Sequence, residues 1–273
     1  MARSPIGVFD SGLGGLTGFR ALKRRLPDYP LIYFGDTARV PYGTKTEDCI
    51  RRYARQDIRF LLTHSVSAIL IACGTVSSVA LPFLKDRYPV PLTGVVEPAA
   101  RAACKIASAR EGKVLVLGTD ATVRSRSFEQ ALLALDNRLS IRQQACPLFV
   151  PLAENLRTGR GDPAATAAAH AYLDPYLDFK PDVILLGCTH FPLLSEIIAD
   201  VFPEPVLISA GEEAAAELAD AIRKRDRSDD SGERPEAEDR FFTSGDPDQF
   251  GRDASAFLGS PVSRVTRVSI SRY

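Results

Sequence analysis

Two cysteines stand in matching surroundings. Residues 67–75 read SAILIACGT and residues 181–190 read PDVILLGCTH. In each, an apolar run too short for a typical helix leads through a small residue to a cysteine, with a threonine close by. Both runs predict buried strands. SSVALPFLKDRY follows the first thiol and FPLLSEIIADVF the second, so each is expected where a strand meets the N-terminal end of a helix. Backbone N–H groups and the positive end of the helix dipole favour an anion there, lowering a thiol's pKa below its free value of about 8.5. Taken singly, Cys73 or Cys188 reads equally well as a small buried hydrophobe. The repeated context, with Thr75 and Thr189 just behind, points to two acid/base groups facing one cleft.

Inverting a carbon that carries a proton needs a base on one face and an acid on the other, with the roles exchanged in reverse. Two opposed thiols meet that need if each pKa lies near working pH. Asp10 and His190 are the neighbours in sequence that could tune them, although an N-cap aspartate and a half-buried histidine are equally good descriptions. The turn DSGLGG at 10–15 partly imitates a dinucleotide fingerprint, with Asp36 about 20 residues on, but Thr17 occupies the third glycine position. Its other use is a carboxylate cradle built from N–H groups, Ser11 and the Tyr42–Gly43 backbone.

The elements that must position these groups come in two similar runs. PIGVFDSGLGG opens with a strand and a glycine turn, followed by a helix near 16–26, the strand LIYFGD ending at Asp36, the loop TARVPYG, a helix near 47–63 and the first cysteine strand. Such alternation specifies a parallel sheet covered on both faces. A short strand, LTGVV, follows up to Glu97 and Pro98, and a helix is expected at 99–110. KVLVLGTDAT then restarts the pattern with a strand and polar turn, the helix SFEQALLAL, a strand near 139–144, a helix near 163–178 and the second cysteine strand. The fold class expected is therefore α/β, two pseudo-symmetric domains whose parallel-rich sheets face a central cleft. After the strand PVLISAG comes a helix to about residue 225. Residues 226–240 are almost wholly charged or small and are expected to form a mobile surface loop. RFFTSGDP and VSRVTRVSI then look like closing strands. If the chain returns to the first unit, the domains are 1–97 plus 211–273 and 98–210.

The 273 residues suffice for two such units. With 34 basic and 34 acidic residues, there is no long-range field to gather nucleic acid or an anionic membrane, so a small molecule is the expected partner. The apolar start at Ile6–Phe9 is too short for a signal, and no run approaches a bilayer's thickness. A cytoplasmic location follows as an expectation. The five cysteines contain no Cys-x-x-Cys pair, which argues against a disulfide framework and against a structural zinc; no metal is expected.

IGVFDSGLGG, YFGDTARVPYG, GVVEPAARAA, ACPLFVPLAE, LLGCTHFPLL and FTSGDP occur in this order, and the chain so closely resembles the glutamate racemases, from about Ile6 to Phe250. The resemblance implies a two-domain fold with an interdomain cleft, no pyridoxal phosphate or other cofactor, no metal, a homodimer, glutamate as substrate, and supply of D-glutamate for the bacterial cell wall. It also implies that Cys73 exchanges the proton on the D side and Cys188 on the L side, that Asp10 assists Cys73 and His190 assists Cys188, and that Asp36 and Glu154 are linked to activity. Asp10, Ser11, Tyr42, Gly43, Thr75, Thr189 and His190 match substrate-contacting positions, joined by Thr119 and Thr122. One position departs from the pattern: Gly74 replaces the asparagine usual after the first cysteine. Only its backbone N–H remains for the substrate, at about 1–3 kcal/mol for a lost buried contact. A racemase for aspartate or another amino acid, and a catalytically silent binding homologue, stay open as alternatives.

Overall fold

The structure, a computed structural model, describes residues 3–226, 238–262 and 264–273. The first run builds β1 (Ile6–Asp10), α1 (Leu16–Arg25), β2 (Leu31–Gly35), two single 3₁₀ turns (Thr37–Arg39 and Tyr42–Thr44), α2 (Glu47–Leu62), β3 (Ala68–Ile71), α3 (Gly74–Val79), α4 (Leu81–Leu84), β4 (Leu92–Gly94) and α5 (Val96–Ala107). The second builds β5 (Lys113–Gly118), α6 (Asp120–Ser125), α7 (Ser127–Leu135), β6 (Ser140–Ala145), α8 (Phe149–Glu154), α9 (Pro163–Leu173), β7 (Val183–Leu186), α10 (Ser195–Val201) and β8 (Val206–Ser209). α11 (Ala210–Asp226), β9 (Arg240–Thr243), α12 (Pro247–Leu258) and β10 (Val265–Arg267) complete it.

Two sheets result, ordered β10-β9-β2-β1-β3-β4 and β6-β5-β7-β8, with every pairing parallel. The order β2-β1-β3-β4 recurs as β6-β5-β7-β8, so the duplication read from the sequence is a duplication of topology. The central strands β1, β3 and β7 are buried at every residue, as continuous apolar runs in a doubly covered sheet must be. Alternate residues feed different cores. Val8 and Leu70 face a core shared by both sheets with α1, α5 and α11 between them. Phe9 and Ile71 face a second core under α2, while Leu117 and Leu186 face a third with α8, α9 and α10. Each such side chain, fully buried, contributes about 1.5–3 kcal/mol.

α2 shows how local sequence sets an element. Thr46 accepts from the Cys49 N–H as N-cap, and Glu47 and Asp48 occupy the first turn, where they complement the dipole. Its buried stripe of Ile50, Ala54, Ile58 and Leu61 contains one acid, Asp57.

Several boundaries differ from the sequence-based expectation. α5 begins at Val96 rather than 99, because Pro98 in the first turn gives up only an N–H that has no helical partner. α9 stops at Leu173, and Pro175 carries the chain into a 3₁₀ segment, Asp174–Phe179. Behind Cys188, Pro192 likewise makes the first turn 3₁₀ (Phe191–Leu194), and α10 starts only at Ser195. α12, between the two closing strands, was not expected. Asp246 caps it, Pro247 opens it and Gly259 ends it in the left-handed region, φ +68°. The expectation of a mobile loop at 226–240 falls largely outside the described residues. Among them, no helix is long and apolar enough to cross a membrane.

Candidate active site

The carboxyl ends of β1, β3, β5 and β7 converge on one small cavity of about 40 Å³. Phe9 pairs with Ile71 and Leu117 with Leu186; two residues beyond each second partner stand Cys73 and Cys188. The thiols therefore occupy equivalent positions in the two units, and both line the cavity. So do Ser11, Tyr42, Gly43, Gly74, Thr75, Thr119, Glu154, Thr189 and His190. Val40, Pro41 and Val150, not foreseen from sequence, complete the wall. Asp10, Asp36 and Thr122 are fully buried behind it.

The surroundings of the two thiols differ. Cys73 donates to Ser11 Oγ at 3.7 Å and precedes α3, but the expected lowering of its pKa does not occur. Burial drives the thiol well up, the charge of Asp10 adds to this, and the Val76 N–H and Ser11 only partly oppose. Desolvation outweighs a helix of six residues. Asp10 anchors the glycine turn, accepting at Oδ2 from Gly12 and Gly15 N–H at 3.1 and 3.0 Å; its Oδ1 has no hydrogen-bond partner. The turn needs glycine at 15, where a Cβ would stand 2.4 Å from that of Asp10.

Cys188 faces a cation instead. His190 Nδ1 lies 3.8 Å from its Sγ, and Nε2 makes an ion-pair contact with Glu154 Oε1 at 3.2 Å. Burial alone would depress the imidazolium; its contacts with Cys188 and the Glu154 carboxylate, with the charges of Cys188 and Asp10, overcome this and push the histidine up to about 10. One thiol thus sits beside a carboxylate, the other beside an imidazolium.

The cleft is closed by small groups from both units. Thr75 Oγ1 meets Thr119 Oγ1 at 3.0 Å, Thr119 continues to Thr122 Oγ1 at 3.0 Å, and Thr17 Oγ1 donates to the Thr189 carbonyl at 3.2 Å. Gly74 touches the backbone of Gly187: a Cβ there would lie 2.0 Å from the Gly187 carbonyl oxygen. By residue type alone, Gly74 is a lost amide. In this closed arrangement the position has no room for any side chain.

Asp36 does not face the cavity. Its Oδ2 accepts from Arg39 Nε at 2.5 Å and from the Tyr42 hydroxyl, so Tyr42 meets the cleft without its phenol oxygen. Arg39 and Asp57 belong to this cluster and were missed; the signal for Asp57 was an acid on the apolar stripe of α2. In the second unit Cys146 stands where Asp36 stands in the first, since Asp10 pairs with Gly35 and Gly118 with Ala145. Among the described residues, no group of three His, Cys, Asp or Glu side chains is arranged to hold a metal ion.

The family model of Asp/Glu/hydantoin racemases matches residues 19–219. The chain belongs to that family. It is 42% identical to a glutamate racemase of Beutenbergia cavernae, over 97% of this chain and 93% of that one. Among solved structures, the glutamate racemase of Francisella tularensis in complex with D-glutamate superposes with a TM-score of 0.89 at 30% identity, covering all of both chains. The Thermus thermophilus enzyme in complex with β-chloro-D-alanine gives 0.87 at 42%, covering 100% of this chain and 99% of that one. In this racemase family member the two-sheet architecture is thus that of solved glutamate racemases.

Proposed function

We propose that this protein is a cofactor-independent glutamate racemase that interconverts L- and D-glutamate by proton transfer through Cys73 and Cys188, supplying D-glutamate for the cell wall. The observation that carries the reading is that two thiols at equivalent positions of a duplicated unit line one cavity. Glutamate racemases similar over nearly the whole chain support the substrate. The cavity, about 40 Å³, lies far below the roughly 300–1,000 Å³ usual for ligand pockets, so glutamate enters by parting the two units, which close again over it.

The unequal surroundings support one allocation of resting roles. Cys73, held protonated by burial and by Asp10, is the acid; Cys188, beside the His190 imidazolium, is the base. That state is ready for the L-to-D direction: Cys188 takes the α-proton of L-glutamate and Cys73 returns one to the opposite face. Ser11, Thr75, Thr119, Thr189 and the Tyr42–Gly43 backbone hold the carboxylates, with Asp10, Glu154 and His190 setting thiol protonation and Asp36 acting through Tyr42. Residues 1–97 with 211–273, and 98–210, form the two domains that part. Optical rotation of L-glutamate solutions tests the reading: the parent protein racemises without added cofactor, and Cys73→Ala and Cys188→Ala each abolish turnover with the fold intact. Full activity in either variant overturns it. Gly74 favours a second reading, a racemase for aspartate or another amino acid, which a panel of L-amino acids separates from the first.

A further inference from the structure

Behind the cleft wall, two buried carboxyl groups converge on one guanidinium and one phenol. Asp36 follows β2 and Asp57 lies on α2; neither is exposed to solvent. Arg39 donates from Nε to Asp36 Oδ2 at 2.5 Å and from Nη2 to Asp57 Oδ1 at 3.0 Å. Its Nη1 donates to Gln56 Oε1, and its guanidinium lies 3.9 Å over the Tyr53 ring. Tyr42 Oη touches Asp36 Oδ2 and lies 3.1 Å from Asp57 Oδ2. Asp10, at the end of β1, adds another negative charge near Asp57.

Counting protons shows what this arrangement requires. A phenol carries one hydrogen, and the closer contact, to Asp36, uses it. Tyr42 Oη then meets Asp57 Oδ2 lone pair against lone pair unless Asp57 itself supplies a hydrogen. One guanidinium, moreover, cannot neutralise two buried carboxylates, and an unpaired buried charge is costly. We propose that Asp57 is a positioning residue that keeps a proton and donates it to Tyr42 Oη, completing a chain from Asp57 through Tyr42 to Asp36 and Arg39. This chain fixes the 3₁₀ turn whose Tyr42 and Gly43 form one wall of the cleft. Burial, then the charge of Asp36, drives the Asp57 carboxyl well above the usual range, with Arg39 and Tyr42 opposing and Asp10 adding to the rise.

The activity half of the test rests on the glutamate racemase reading; the stability half does not. In the full chain, Asp57→Asn preserves the shape: its Nδ2 donates to Tyr42 Oη and its Oδ1 accepts from Arg39. Asp57→Ala removes both contacts. Kinetics on L-glutamate are expected to place kcat/KM of Asp57→Asn within about threefold of the parent, while Asp57→Ala loses at least about tenfold. Thermal midpoints are followed from about pH 5 to about pH 8. The native pKa of Asp57 is raised above the unfolded value near 3.9, so its stabilisation is complete below that value and declines as pH rises. The parent's midpoint therefore falls more steeply with pH than that of Asp57→Asn. Equal slopes with Asp57→Asn as impaired as Asp57→Ala would show that Asp57 works as an anion and overturn the proposal. Parent-like behaviour of Asp57→Ala in both assays would also overturn it. If none of the proteins turns over L-glutamate, the racemase reading fails, and the difference in slope alone decides the role of Asp57.

Discussion

Replacing Gly74 separates two accounts of the same position. If the glycine marks only a lost amide, Gly74→Asn regains a substrate contact and improves binding by up to about 1–3 kcal/mol. The closed cleft argues otherwise. A Cβ at residue 74 stands 2.0 Å from the Gly187 carbonyl oxygen and 3.6 Å from Cys188 Cα, whereas carbon–oxygen contacts settle near about 3.3 Å. The Cys73 and Cys188 turns must therefore move apart by roughly 1.3 Å. A misplacement of about 1 Å at reacting groups costs on the order of 100-fold in rate, or about 2.7 kcal/mol of barrier. Gly74→Ala and Gly74→Asn are both expected to lose kcat by about that factor, with KM changing much less and the thermal midpoint nearly kept, because the strain falls on closure rather than on either core. The assay is steady-state racemisation of L-glutamate by optical rotation, beside a thermal melt of each variant. A Gly74→Asn protein with kcat within about threefold of the parent would refute the reasoning and restore the lost-amide account.

Three further outcomes follow from the site and the cores. His190, raised to about 10 in the folded state against about 6.5 unfolded, contributes stability that is complete below about pH 6.5 and is lost as pH rises toward 10; His190→Asn should flatten that part of the stability profile, and denaturant melts across the range check it. Glu154→Gln removes one of the partners holding the imidazolium, so the alkaline limb of kcat should move to lower pH, read from pH–rate profiles. Phe34→Ala, emptying a fully buried site in the core under α2, should cost about 3–5 kcal/mol in urea unfolding with little change in kcat at temperatures where it remains folded.

What could be read from the sequence were features carried by short segments. The strand–cysteine pattern and the alternation of strands with helices define local periodicity, and they led correctly to two parallel sheets. α12 is legible in part, since Asp246-Pro247 and Gly259 punctuate it and Phe250, Ala254 and Phe257 share its buried face, but the strand-like segments on either side mask it. Groups whose meaning depends on packing were out of reach. In sequence, the Cys73 thiol shows only its place at a helix start, and only the fold reveals the burial that reverses the shift. Asp57 lies 21 positions from Asp36 in the chain, and nothing local says that α2 brings the two onto one arginine. The contact between Gly74 and Gly187 crosses between sheets and involves no side chain, so residue type gave no sign of it.

The central claim is that two bases work on opposite faces of one carbon, and isotope placement in deuterium oxide tests it most directly. Purified protein is given protiated L-glutamate, and both enantiomers are separated early in the reaction and analysed for α-deuterium. Two thiols acting from opposite sides predict that the D-glutamate formed carries deuterium from the first turnovers while the remaining L-glutamate keeps its proton. Deuterium appearing at equal rates in both enantiomers would contradict the claim, because a single base would then be removing and returning the proton.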